Sequence, residues 1–490
     1  MATDEVAPDT LLDSAIEIVQ NAKFDSKSFE RYQIVSQRLN QYLAKSQGTK
    51  GDIFSPVPIN LRRLLGRGLK PEQFEQLDRQ AFDLTDMLHL ETCFLNQGIV
   101  KHIAANARGD RAVAEAIFDW VIRNIQVLPI AELPQYRVVP RVSLLLGMCS
   151  EQERAWIFMD LLRQAGIDSV FLSTVEQGAD AKTDGYSPWA PAAFIDDELY
   201  VFDTLLGLPV PGPGGNGIAT LRELLLDRSL LKGLEPDAEH PYRVRPEQLD
   251  RLIVLFESSP LYYTPRMSFL QSRLSGGNRA ILWSDMVQLI GRVTEYLGEE
   301  TTLDLWRMPA AVHYNNLRNR EYVDQISKMM AHIAVPIPMA EIAMESRIAH
   351  LRGNLDEAIK GYLMTRNPLP SYLSANEQIV ELHGWIREDS TYFLGLAKFE
   401  QRELETAATW LGKSYLEKHA TGRWVSSARY NLGRCAEARN DAALAIESYT
   451  AESTSPQAAG NLVRARRLGW KGPDAVGSPA PAIPHGGKLP

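Results

Sequence analysis

The sequence predicts an α+β core followed by an all-α repeat region, mostly α overall. Three observations carry that expectation. Apolar residues recur at helical spacing through most segments. Short β-branched runs bounded by turn residues are confined to one section, between Ser169 and Asp203. The C-terminal third repeats a fixed spacing of small residues.

The totals set outer limits. At 490 residues, two or three domains are expected, and 45% hydrophobic with 23% charged residues is an ordinary globular balance. A net charge of −9 argues against a nucleic-acid partner. No apolar run approaches the ~18 residues of a membrane span. The first ten residues lack a signal-peptide pattern, so a cytoplasmic location is the default expectation. The three cysteines (Cys93, Cys149 and Cys435) are widely spaced and form no CxxC pair, and no HExxH occurs. Neither a metal site nor a cofactor is expected.

In chain order, residues 10–46 read as helical, with Phe29, Tyr32, Leu39, Tyr42 and Leu43 on a packed face. Two prolines break the pattern in the loop 54–60, and helical signals return over 71–107. His89 and Cys93, four apart, share a helix face there and read as core packing. Residues 111–125 form an amphipathic helix that buries Ala114, Ile117, Phe118, Val121 and Ile125. A proline-punctuated link, 128–140, follows.

The stretch 147–174 organises the chain. Ser150 and Glu153 form an S-x-x-E capping box that starts a helix at Ser150. Ala155, Phe158, Leu161, Leu162 and Ala165 give it one apolar face, and Gly166 stops it. A strand over 169–174 follows. Cys149 therefore lies just ahead of the N-cap, where free N–H groups and the helix dipole favour a thiolate.

Next come a polar loop, 176–186, and a hairpin, 192–195 and 199–203, turning at Asp196-Asp197 and ending on Asp203. The glycine- and proline-rich stretch 207–217 reads as a surface loop, because no Gly-Lys-Ser/Thr follows it. Residues 249–256, 268–274 and 282–297 read as helices, with a turn at 275–278. Trp306 and His313 fall in an irregular, proline-interrupted segment.

In the C-terminal third, Ser346, Gly395 and Gly433 are each followed twelve positions later by an alanine: Ala358, Ala407 and Ala445. Four residues further on stand Tyr362, Leu411 and Tyr449. Small residues on paired helices let backbones approach, and the bulky residue one turn later fills the groove. This pattern, over roughly 338–468, resembles tetratricopeptide repeats, with intervals of 49 (407 − 358) and 38 (445 − 407) in place of ~34. The expected organisation is a helical N-terminal region (1–107), a core (108–225), a helical connecting region (226–337), the repeats (338–470) and a disordered tail (471–490).

The helix carrying Asp119, Trp120 and Val121, the cysteine before a second helix and the hairpin ending in aspartate together resemble a transglutaminase-like domain over about 111–204, a relative of papain-type hydrolases. The resemblance implies helices packed on a small antiparallel sheet. It also implies a nucleophilic cysteine, a histidine base and an aspartate that orients it. Cys149 matches the nucleophile and Asp203 the aspartate, but Pro188 occupies the histidine position, fifteen residues before Asp203 (203 − 188). No histidine lies between Cys149 and Asp203. Loss of a triad member costs of order 10³-fold or more in rate. His102, His240 and His313 are the candidates to replace it from elsewhere in the fold.

The favoured expectation is a non-catalytic interaction protein, a degenerate transglutaminase-like core joined to a repeat arm that binds a protein or peptide. The alternatives are a cysteine hydrolase or transglutaminase that acts on peptide or amide substrates through Cys149 with a non-standard base, and a structural assembly subunit.

Overall fold

The computed structural model describes residues 8–21, 28–47, 54, 56–175, 186–237, 240–276, 279–331, 337–451 and 454–472. The chain is mostly α with a small sheet. Most of the expected polar loop at 176–186, half of the turn at 275–278 and the tail beyond residue 472 lie outside the described residues.

Among the described residues eight strands form: β1 (Gln126–Val127), β2 (Met148–Cys149), β3 (Asp168–Val175), β4 (Tyr186–Ile195), β5 (Glu198–Asp203), β6 (Leu208–Pro209), β7 (Leu252–Glu257) and β8 (Thr302–Trp306). β1 and β2 pair in parallel, and the others make one sheet in the order β6-β5-β4-β3-β7-β8. That sheet is antiparallel from β6 to β7, but β7 and β8 run parallel, so it is mixed rather than the antiparallel sheet expected.

The hairpin turns where expected. Asp196 (φ 50°) and Asp197 (φ 58°) both adopt the left-handed conformation of a tight two-residue connection, which aspartate tolerates. β4 begins earlier than the sequence suggests, at Tyr186, despite Pro188 and Pro191. β5 pairs only with residues 192–195, so both prolines sit where that side of β4 has no partner strand in the ladder. Pro188 pairs with Ser173 just past a register shift in β3.

Two corrections follow from the sheet. Residues 249–256 read as a helix, yet a short 3-10 turn (Pro246–Arg251) leads into β7, held between β3 and β8. Its continuous apolar run, LIVLFE, has no period to separate a buried strand from a buried helix. The sheet therefore takes strands on both sides of the expected boundary between 225 and 226. The glycine-rich stretch 207–217 is also more than a surface loop. β6 pairs with β5, Pro211 bridges to Ile218, and Leu208 and Val210 are buried, so the stretch closes the sheet edge.

The C-terminal third consists of helix pairs: Pro338–Leu351 with Leu355–Met364, Glu377–Glu400 with Leu404–Thr409 and its π-helical continuation Trp410–Leu416, and Val425–Ala438 with Ala442–Thr450. Ala358, Ala407 and Ala445 are fully buried between them. A Cβ on Gly395 would meet Leu411 at 2.6 Å, and one on Gly433 would meet Tyr449 at 2.6 Å. In the first pair the small residue lies on the second helix: a Cβ on Gly361 would meet the Ser346 hydroxyl at 1.9 Å.

These pairs do not stand away from the core. The first helix of each pair lies against the helix Asp110–Asn124 or the segment leading to Cys149. Arg347 donates to the Leu144 carbonyl at 2.9 Å, Asn431 donates to the Arg123 carbonyl at 3.0 Å, and Tyr392 donates to the same carbonyl at 3.4 Å. Arg434 pairs with Asp119. Burial alone would raise the Asp119 carboxyl, but Arg434 and Arg123 hold it well below the usual carboxylate range. The helix Ala458–Arg467 packs on the turn after Asp203, where a Cβ on Gly460 would collide with the Leu206 carbonyl.

Candidate functional site

The helix Glu151–Gln164 starts as its sequence dictates. The Ser150 hydroxyl accepts from the Glu153 N–H at 3.3 Å, and the Glu153 carboxylate accepts from the Ser150 N–H at 2.7 Å. Gly147 (φ 73°) turns the chain out of the preceding helix, Pro140–Leu146, and into β2. A side chain at Gly147 would also press on Trp424 and Phe393 from the helix pairs. β2 then pairs with β1, and the Leu128 N–H donates to the Cys149 carbonyl at 2.9 Å.

This framing points Cys149 inward. Its side chain is buried, 4% exposed, and belongs to the hydrophobic core that also holds Val121, Phe158 and Phe202. The helix dipole favours a thiolate there, but burial works in the opposite direction and dominates. Burial, and then the nearby Glu153 carboxylate, push the Cys149 thiol well above its ordinary value, against the Arg154 and Arg137 guanidiniums. The expected thiolate is thus a protonated, packed thiol.

Asp203 ends β5 and is fully buried. One carboxylate oxygen accepts from the Leu205 and Leu206 N–H groups at 2.9 Å, capping the turn. The other accepts from the Tyr242 hydroxyl at 2.5 Å, and that hydroxyl accepts from the Trp189 indole at 2.7 Å. The Arg243 guanidinium lies 3.3 Å from Asp203, bonds Glu151 at the first turn of the cysteine helix, and donates to the carbonyl of Trp189, the residue after Pro188. One cation thus links the start of the cysteine helix, the strand with the proline and the buried aspartate. The carboxylates that surround Arg243 raise it further above its ordinary value, against its burial.

None of the seven histidines among the described residues interacts with Cys149. His102 pairs with Glu400 at 2.9 Å, His240 is exposed and bonded to Asp237, and His313 lies against Trp156. His89, His350, His383 and His419 engage Leu282, Tyr362, Thr365 and Tyr415. The groups that act on the Cys149 thiol are Glu153, Arg154 and Arg137. Among the described residues no cluster of three or more His, Cys, Asp or Glu side chains could hold a metal ion. No helix among them is long and apolar enough to cross a membrane.

Sequence reasoning missed Tyr242 and Arg243. They sit in an irregular segment without periodicity, 39 and 40 positions from Asp203. The one available signal was indirect: an aspartate at the buried end of a strand needs a cation or donors close by.

No family model, curated protein or solved structure matches this chain.

Proposed function

We propose that this chain is a non-catalytic protein-interaction protein, in which a degenerate transglutaminase-like core is held by degenerate tetratricopeptide repeats. One observation carries the reading. Among the described residues Arg243, and no imidazole, joins the cysteine helix to the aspartate strand. A guanidinium is charged at any working pH and cannot take a proton from a thiol. The buried, protonated Cys149 points the same way, since an acyl-transfer cycle needs a nucleophile and a base in contact.

The repeats act first on their own chain. Their inner helices bond Arg123, Asp119 and Leu144, so the face that repeat solenoids offer to peptides is taken up internally. A protein or peptide partner then has the outer surface. Leu363 and Met364 at the end of the first pair, Tyr372 in the connection after it (74% exposed) and Val380 at the start of the second pair are exposed. Large apolar side chains exposed together mark interaction surfaces.

Quantitative co-purification tests the proposal. The wild type, Cys149→Ala and Leu363→Asp/Tyr372→Asp are compared at equal expression. Cys149→Ala should keep every partner of the wild type, and the double variant should lose them. Loss of partners in Cys149→Ala, with retention in the double variant, would contradict the proposal.

A further inference from the structure

A cavity of about 220 Å³ opens between the helices Leu84–Ile103, Glu151–Gln164 and Arg307–Arg318. One buried water needs only roughly 10–15 Å³ of such space. Apolar side chains, including Leu88, Val139 and Trp156, form most of the wall. His89, Asp160, Tyr262 and His313 supply polar atoms.

Asp160 and His89 supply acceptors, beside amide and hydroxyl groups that can also donate. His89 donates from Nε2 to the Leu282 carbonyl at 3.0 Å, which fixes its tautomer and leaves Nδ1 as an acceptor without a protein partner among the described residues. His313 makes no hydrogen bond to a described residue, and its ring stands 5.7 Å from Trp156. Burial drives His89 down to about 3 and His313 down to about 4, so both rings are neutral.

The charges do not balance. Arg163 bridges Asp160 at 2.5 Å and Glu257 at 3.0 Å, one guanidinium between two buried carboxylates. Glu257 also accepts from the Ser259 N–H at 2.8 Å and from its hydroxyl, so it is the better satisfied of the two. Asp160, which lines the cavity, is left as the partner short of positive charge. Arg141, the cation that lines the cavity, is 2.9 Å from Glu91. Cys93, Tyr262 and Tyr263 complete the titratable groups around Asp160, and burial pushes each of them up and keeps it neutral.

We propose that this cavity binds a small primary amine with an apolar or aromatic body, whose ammonium group supplies the positive charge that the Asp160, Glu257 and Arg163 cluster lacks. Trp156 and Leu88 would cover the body, and Asp160 and His89 Nδ1 would accept from the ammonium. Burial, and then the Glu257 carboxylate, raise Asp160 against Arg163, which favours a proton there while the site is empty. Arrival of a cation should expel it.

The test uses the full chain and 2-phenylethylamine, with 2-phenylethanol and phenylacetate as comparators. Calorimetry at pH 6 in two buffers of different ionisation enthalpy should show proton release on amine binding. The amine should bind at least tenfold more tightly than either comparator, and the ring-proton shifts of His89 and His313 should move. Asp160→Asn should erase the preference for the amine over the alcohol. Proton release is read on the native chain, so it stands whether or not that variant folds. Equal affinity for amine and alcohol, binding without proton release, unmoved histidine shifts, or no amine binding at 10 mM would each overturn the proposal.

Discussion

Arg243 and Asp203 meet at 3.3 Å, with the aspartate fully buried and the arginine 25% exposed. The same guanidinium bonds Glu151, two positions past Cys149. Removing it would leave the Asp203 carboxylate with neutral donors alone and release the start of the cysteine helix. Arg243→Ala should therefore cost about 3 kcal/mol in urea unfolding. Arg243→Met combined with Asp203→Asn should cost less than the sum of the two single changes, because the pair is coupled directly. Additive losses would mean that the two residues act independently.

The helix pairs give a contrast within one protein. Gly433 faces the buried Tyr449 ring at 2.6 Å from where its Cβ would stand. Gly384, exposed on the helix Glu377–Glu400, has nothing within 4 Å. Overpacking costs about 1–3 kcal/mol, and replacing a helical glycine with alanine returns about 1 kcal/mol. Gly433→Ala should thus lower stability by up to about 2 kcal/mol in chemical denaturation, whereas Gly384→Ala should raise it by about 1 kcal/mol.

Much of this local structure could be read from the residues alone. Ser150 with Glu153, the Asp196-Asp197 turn and the spacing of Ala358, Ala407 and Ala445 each encode geometry within a few positions or one helix pair. What could not be read depends on distant partners. LIVLFE becomes β7 because β3 and β8 flank it, and nothing local in those six residues demands a strand. The capping box gave the helix start correctly, yet the protonation of Cys149 follows from its burial in a core assembled from distant segments. Arg243 was invisible because its partners come from three separate segments.

Acid should expose the two cavity histidines. Both are held neutral, with His313 lowered to about 4 and His89 to about 3, whereas an unfolded histidine titrates near 6.5. Their contribution is complete above the unfolded value and is lost as pH falls toward the folded one, because the unfolded chain takes up protons that the native chain refuses. Between pH 7 and 5 each should cost about 2 kcal/mol of stability, less for the partly exposed His313. His313→Phe should reduce the drop in unfolding free energy over that window by about 1–2 kcal/mol. An unchanged slope would show that His313 is free to protonate in the folded chain.

In the proposed function Cys149 is a silent core thiol. The most direct measurement is residue-resolved labelling of the native chain with iodoacetamide from pH 6 to 9, read by mass spectrometry. The prediction is that Cys149 reacts no faster than Cys93 or Cys435, and that all three gain reactivity only when denaturant opens the fold. Faster labelling at Cys149, with a plateau or a bell-shaped profile below pH 8, would contradict it and restore a working nucleophile.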